Sequence, residues 1–295
     1  MGNGFVVRAR HSTAEARYNA VVMHDPARPA SLLSWCWPWR HRGLLRQFVQ
    51  RQVLARYRGT ALGVAWSLLT PLLMMAVYTL VFRYVFRWQW AGGTGGGLDF
   101  ALHLFAGMTV FGFFAEAFMR APQVVVEQPN LVKKVPFPVE ILVWVSTLSA
   151  LVFALPALGL LLLATAASGH ALQPAWVALP FIWLPLLPLL LGLGWMFAAL
   201  GVYVRDVGQI LGLLVSLLQF LSPVFYPVSA VSPRLQPLLY LNPLTPVIEQ
   251  SRAALFDGQW PSLSAWLLQC AAGLAVALLG AALFRRLRPG FADVL

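Results

Sequence analysis

The sequence predicts an all-α membrane protein with six transmembrane helices, an N-terminal amphipathic interface helix and re-entrant helices before the last span. Of its 295 residues, 59% are hydrophobic and 11% are charged, whereas soluble domains carry about 25% charge. Several apolar runs approach the length of roughly 20 residues that crosses about 30 Å of hydrocarbon. Lys and Arg outnumber Asp and Glu by 21 to 10, and most of this excess falls in the segments between alternate runs.

The polar N-terminal part precedes the first span and divides into two pieces. Residues 1–43 are rich in arginine and lack the apolar core of a secretory signal peptide, so they are predicted to form a cytoplasmic segment. Residues 44–58 have helical spacing, with Leu45, Phe48 and Val49 on one face, which predicts an amphipathic helix in the membrane surface. Arg56 falls on the apolar half of this helix, where a charge needs an explanation.

Residues 59–295 are predicted to form the transmembrane domain. Its six spans are predicted over residues 61–82, 101–119, 139–167, 175–203, 207–221 and 266–284. The fifth run is short, and six prolines follow between Pro223 and Pro246, which excludes a continuous helix there. Because this stretch is still apolar, we predict broken or re-entrant helices packed against protein. Small residues in the last span, such as Gly273 and Gly280, predict close helix packing.

The distribution of basic residues predicts the orientation. Seventeen of the 21 lysines and arginines lie in the first 60 residues or in segments 120–138, 204–208 and 285–295. Segments 88–100 and 168–174 contain none. By the positive-inside rule, both termini are predicted to lie in the cytoplasm.

The sequence lacks the patterns of most catalytic sites. Its two lysines, Lys133 and Lys134, do not follow a glycine, so no P-loop for ATP is predicted. Five scattered histidines and two cysteines have no metal-ligand spacing. The acidic residues lie near span ends or in the proline-rich stretch, which disfavours ion coupling. We therefore expect no enzyme activity, no cofactor and no nucleic-acid ligand for this chain.

Aromatic and basic residues remain as candidates for binding. Phe111, Phe114 and Phe118 repeat at helical spacing and form one stripe, for which helix packing is the commoner explanation and a wall of a sugar pathway the alternative. Trp66, Phe225 and Tyr226 belong to the same candidate set. Arg56 and Arg58 are either positive-inside anchors or contacts to a phosphate.

At these residues the sequence resembles the permease subunit of ABC-2-type exporters of bacterial surface polysaccharides, such as O-antigen and teichoic acid. The resemblance covers about residues 44–285 and does not extend to the first 40. It is carried by residues 56–66 (RYRGTALGVAW) with Pro71, by residues 127–138 (EQPNLVKKVPFP), by Tyr203-Val204-Arg205-Asp206, by residues 222–227 (SPVFYP) and by Asn242-Pro243.

The resemblance implies a half-transporter in the bacterial inner membrane. It implies a homodimer that works with two copies of a separate ATP-binding subunit, which holds the ATP and Mg²⁺. The implied substrate is a polysaccharide linked through pyrophosphate to a polyprenyl lipid. Arg56 and Arg58 are then candidates for binding the pyrophosphate, and the six aromatic residues for lining the glycan pathway.

Residues 127–138, in the predicted cytoplasmic segment between the second and third spans, are the predicted docking site for the ATP-binding subunit. Prolines at 122, 129, 136 and 138 bracket two short stretches rather than one long helix. Asn130 is predicted to cap a short helix that exposes two apolar residues beside two lysines. The predicted docking residues are Glu127, Asn130, Leu131, Val132, Lys133 and Lys134.

Two alternatives remain open from the sequence. A permease for another amphiphile, such as a drug, haem or a lipid, shares the topology but does not need basic and aromatic residues together at the inner mouth. A membrane glycan-processing enzyme shares the lipid-linked substrate but needs clustered acidic residues, which this sequence lacks.

Overall fold

The computed structural model describes residues 41–58, 63–85, 97–133, 137–168 and 173–295, and these residues form helices joined by turns, without a strand. Most of the predicted N-terminal segment 1–43 lies outside the described residues. So do residues 59–62, which include the first two residues of the predicted first span, most of the glycine-rich loop that ends at Gly97, and Lys134.

Thirteen α-helices are present among the described residues. They are α1 (Arg42–Tyr57), α2 (Trp66–Thr79), α3 (Gly97–Arg120), α4 (Gln123–Val126), α5 (Pro129–Lys133), α6 (Ile141–Ala167), α7 (Leu179–Trp183), α8 (Leu186–Tyr203), α9 (Val207–Leu221), α10 (Gln236–Tyr240), α11 (Leu244–Arg252), α12 (Leu263–Leu287) and α13 (Phe291–Val294). Short 3₁₀ turns and two π-helical segments, Leu80–Val85 and Ala253–Asp257, connect some of them.

Four helical stretches of the described residues are long and apolar enough to cross a membrane, compared with the six spans predicted. They are Leu98–Arg120, Ile141–Ala167, Pro174–Tyr203 and Leu263–Val294. The helices α2 and α9 are apolar but shorter. The α-helical part of the first predicted span ends at Thr79, where the backbone becomes π-helical. The six-span count therefore stays a prediction.

Prolines divide the stretch from Pro174 to Tyr203 into three pieces. A 3₁₀ turn covers Pro174–Ala178, and α7 and α8 follow, with Pro185 immediately before α8. Proline is tolerated in the first turn of a helix, where its missing N–H has no partner to lose. The stretch can thus stay helical although it contains four prolines.

The closest helix pair is α8 with α12, as the small residues of the last span predict. A Cβ on Gly280 would collide with the backbone of Gly192, and a Cβ on Gly192 would collide with the backbone at Val276. The two backbones are therefore in direct contact. Such contacts replace the hydrophobic driving force that helices lack in lipid.

The helix α3 lies at the centre of the fold and packs against α2, α6, α9 and α11. The helix α1 lies against α6, with Leu45, Phe48, Val49 and Tyr57 half-buried and Leu44 exposed. The predicted amphipathic helix is thus present, and its half-buried face includes Tyr57 at its end.

Candidate functional site

Arg56 in the last turn of α1 reaches across to two neighbouring helices. Its Nη1 donates a hydrogen bond to Oε1 of Glu116 on α3 at 2.6 Å. The guanidinium carbon lies 4.1 Å from the ring centroid of Phe153 on α6, which is a cation–π distance. The same ring meets Tyr57 edge-on at 6.2 Å. The charge that looks misplaced in the sequence therefore lies on this face because the face points at the helix bundle.

A cavity of about 400 Å³ opens beside this ion pair, between α2, α3 and α6. Its lining begins at Glu116 and continues along α3 to Phe105, a length of about 16 Å at 1.5 Å per helical residue. The end near α1 contains Arg56, Tyr57 and Ser67. Further along, the lining becomes apolar, with Met74, Phe105, Met108 and Ala157.

This gradient from charged to apolar fits an amphiphile with an anionic head. A guanidinium group binds phosphate oxygens through paired donors. Glu116 lies one turn before the end of α3 at Arg120, the end that the basic-residue distribution predicts to be cytoplasmic. Side-chain exposures of 43% for Arg56 and 27% for Glu116 leave both groups accessible from the cavity.

Two further candidate residues are close in sequence to residues that line this cavity. Trp66 begins α2, is 44% exposed and lines the cavity. Arg58 follows α1 as its exposed C-terminal cap and is not among the cavity-lining residues. The structure thus brings Arg56 and Trp66 together at one cavity, with Arg58 two residues away along the chain.

The aromatic stripe of α3 lies inside the protein core. Phe111, Phe114 and Phe118 are each exposed by 5% or less. The Phe114 and Phe118 rings stack at 5.1 Å, and Phe118 meets Phe197 of α8 edge-on at 5.2 Å. Helix packing accounts for this stripe, and these rings do not line the cavity.

The other two aromatic candidates also serve packing. Phe225 is buried against Tyr78 and Phe220, with ring centroids 5.1 Å and 5.4 Å away. The half-buried Tyr226 donates from its hydroxyl to the carbonyl oxygen of Phe220 at 2.9 Å. Neither residue lines the cavity.

Between the second and third predicted spans, the described residues form two short helices, α4 before the predicted docking residues and α5 among them, and not one long helix, as the prolines predict. Two details of the prediction are wrong. Asn130 does not cap α5, because α5 already begins at Pro129. Leu131 and Val132 are half-buried and pack against a core cluster of this chain instead of standing exposed. Glu127, Asn130 and Lys133 are exposed, so the polar side of the segment faces outward.

The base of this segment is tied to the last long helix. Arg288 lies 3.2 Å from a carboxylate oxygen of Glu140, just before α6. Trp195 of α8 donates to the backbone oxygen of Glu140 at 3.1 Å. The start of α6 is therefore held by both α8 and the end of α12.

The sequence reasoning did not single out Arg252, which is only 4% exposed at the end of α11. Its guanidinium donates to the backbone oxygens of Pro223, Val224 and His103 at 2.6 to 2.9 Å and approaches Glu249 at 3.2 Å. A Cβ on Gly107 would lie 2.5 Å from Nη2 of Arg252. Arg252 thus joins the proline-rich stretch to α3.

Metal chemistry finds no support in the part of the chain that the structure describes. There, no group of three or more His, Cys, Asp or Glu side chains could hold a metal ion.

Comparison with known proteins gives the family. The family described as ABC-2 type transporter matches residues 43–256, which include α1, the cavity and Arg252. The chain belongs to the ABC-2 type transporter family. Its membrane-spanning helices are therefore those of a transporter, as the resemblance in the sequence implies.

Relatives of this ABC-2 chain are named as export or transport proteins. The chain is 32% identical over 264 residues to the O-antigen export system permease protein RfbA of Myxococcus xanthus, covering 86% of this chain and 96% of that protein. It is 21% identical over 255 residues to an RfbA of Klebsiella pneumoniae, covering 85% and 95%. It is 23% identical over 209 residues to the polysialic acid transport protein KpsM of Escherichia coli, covering 70% and 79%.

Proposed function

We propose that this ABC-2 chain is the permease subunit of an ATP-driven exporter that moves a polyprenyl-pyrophosphate-linked polysaccharide across the bacterial inner membrane. The named functions of its relatives, O-antigen export and polysialic acid transport, support the glycan as cargo. The observation that carries the proposal for this chain is the cavity with Arg56 at its polar end.

The cavity supports a lipid-linked substrate because its two ends match the two ends of such a molecule. Arg56 supplies a cation for the pyrophosphate, and Arg58 adds a second charge two residues on. The apolar lining from Met74 to Phe105 offers a surface for the first isoprene units of the lipid. Trp66 is exposed and lines the cavity, which supports a role in stacking against the first sugar.

The absence of an ATP-binding motif from this chain supports an assembly with a separate ATP-binding subunit. Without a lysine after a glycine, it has no phosphate cradle of its own, so a separate subunit must bind ATP and Mg²⁺. We propose a homodimer with two copies of that ATP-binding subunit.

The proposed topology has six spans, with α2 and α9 as the first and fifth, and with both termini in the cytoplasm. The basic residues support this orientation. The short helices α10 and α11 then form the re-entrant region before α12.

We expect Arg56→Ala to reduce export while the protein still inserts into the membrane. Removing one charge-assisted contact to a partly buried anion costs about 1.5 to 3 kcal/mol, which corresponds to about a 10- to 150-fold weaker head-group affinity. We expect Arg58→Ala to have a smaller effect, because Arg58 is exposed and outside the cavity lining. Surface glycan in cells that depend on each variant measures the effect.

The matched control is Arg51→Ala, which removes an exposed charge from the same helix. Normal glycan export by Arg56→Ala and Arg58→Ala at equal membrane levels would make both residues topological anchors. If these variants lost export of a drug, haem or a lipid while surface glycan stayed unchanged, that amphiphile would be favoured as the cargo.

Docking is tested best at Lys133, because Leu131 is half-buried and a charge there would disturb the chain's own packing. We expect Lys133→Glu to weaken binding of the ATP-binding subunit by about tenfold, which is about 1.4 kcal/mol. Co-purification of the two subunits and ATP hydrolysis by the complex measure this loss. The permease alone is the negative control, for which we expect no ATP hydrolysis.

Arg286→Glu is the control for Lys133→Glu, since it reverses another exposed charge near the proposed cytoplasmic surface. If both reversals weaken the complex equally, general charge rather than α5 governs association. If neither does, α5 is not the docking site.

A further inference from the structure

Glu116 occupies the place that an anionic head group needs. Its carboxylate oxygen is 2.6 Å from Nη1 of Arg56 and lines the same cavity. An anionic head group that approaches Arg56 therefore meets a like charge within the cavity. It cannot bind Arg56 fully until that carboxylate gives up its contact.

The ion pair is built so that this exchange is feasible. Both side chains are partly exposed, and exposed ion pairs contribute little net stability. A pyrophosphate, with more charge and more acceptor oxygens than a carboxylate, competes well for the same guanidinium. The Phe153 ring, 4.1 Å from the guanidinium carbon, can keep Arg56 in place while its partner changes.

The exchange also alters a link between helices. Arg56 belongs to α1 and Glu116 to α3, which lies at the centre of the fold. When the head group replaces Glu116, the charge contact between α1 and α3 is lost. Occupation of the site thereby changes how the interface helix is held.

We propose that Glu116 is a resting counter-ion for Arg56, which a lipid-linked pyrophosphate displaces when it binds. The inference rests on the proposed function, since it assumes that Arg56 binds the head group. Glu116 acts as a specificity residue: it keeps the cation paired when no substrate is present and admits only anions that outcompete a carboxylate.

Binding of farnesyl pyrophosphate to the full chain in lipid nanodiscs tests this role. We expect Glu116→Gln, which keeps a hydrogen-bonding side chain, to bind the probe about three- to tenfold more tightly, the range expected for removing one partly screened charge interaction. Arg56→Ala should bind it more weakly. In the double variant the gain from Glu116→Gln should disappear, because the two residues act through each other.

Two further probes separate charge from lipid. Farnesol, which has no phosphate, should bind Glu116→Gln and the unmodified chain equally. Inorganic pyrophosphate should bind more weakly than farnesyl pyrophosphate in each variant, because it lacks the chain that the apolar lining contacts. Asp293→Asn is the control for loss of an exposed carboxylate.

The outcomes distinguish this inference from the proposed function. Weaker binding by Arg56→Ala with no gain in Glu116→Gln overturns the counter-ion role and leaves the head-group site intact; the ion pair is then only a structural tie. Unchanged binding in Arg56→Ala overturns the head-group site itself. An equal gain for farnesol shows that charge is not the cause and also overturns the inference.

Discussion

Gly280→Leu should abolish the folded state, and Gly280→Ala should already destabilise it. The carbonyl group of Gly192 on α8 occupies the space that a side chain on Gly280 would need. Since the obstacle is backbone, it cannot rotate away as a side chain would. Overpacking of this kind costs about 1 to 3 kcal/mol for small additions and more for large ones. The fraction of monodisperse protein after heating in detergent measures the effect.

Gly159→Ala is the control for this prediction, because Gly159 lies within the long helix α6 and its Cβ would meet nothing within 4 Å. We expect this variant to match or exceed the stability of the unmodified chain, since alanine is the better helix former. Equal stability of Gly280→Ala and Gly159→Ala would contradict the direct contact of the α8 and α12 backbones.

Arg252→Ala should lower the free energy of unfolding by about 3 to 5 kcal/mol, the range observed when one partner of a buried ion pair is removed. The variant leaves Glu249 without its cation and leaves the oxygens of Pro223, Val224 and His103 without these donors. We expect lower thermal stability and easier proteolysis of the proline-rich stretch in detergent.

Two variants identify the cause of that loss. Arg252→Lys keeps the charge but cannot supply donors to several carbonyls at once, so it should recover only part of the stability. Arg234→Ala removes an exposed charge from the same stretch and should change stability by less than about 0.5 kcal/mol. Full recovery in Arg252→Lys would mean that charge alone matters.

Helix positions were predictable where apolar length and helix-breaking residues act locally. The predicted run at 207–221 has the bounds of α9, because Asp206 precedes it and Ser222-Pro223 ends it. The prolines around 122–138 correctly predicted that no single long helix runs through this segment. The end of α2 at Thr79 was not predictable, because the residues that follow it are as apolar as those before.

The site was predictable only in part, because its geometry depends on contacts between distant residues. Arg56 gave a local signal through its position on an apolar helix face, but its partner Glu116 is 60 residues away. The sequence indicated only that Glu116 is an acidic residue near the predicted inner end of the second span. Arg252 gave no such signal, since its partners are mostly backbone oxygens, which look alike in any sequence.

For the aromatic stripe and the docking helix, helical spacing identified a shared face but not the neighbours of that face. The spacing of Phe111, Phe114 and Phe118 states that they share a face, but not what that face meets. The same holds for Leu131 and Val132, whose exposure depends on a core cluster built from distant segments. Helical periodicity gives the direction of a side chain relative to the helix axis, whereas its burial depends on which other segments pack against that face.

The helix α2, which forms one wall of the cavity, is packed less tightly than the helices that form the other walls. The helices α3 and α6 contain many buried residues, whereas α2 contains none. The chain's own packing therefore contributes little to the free energy that keeps α2 in position, and regions with few buried contacts open at low cost. Whatever covers α2 from outside, lipid or a second subunit, supplies the rest. The width of the cavity thus depends on what packs against the outer side of α2, and it should vary with the thickness of the lipid bilayer even when the sequence is unchanged.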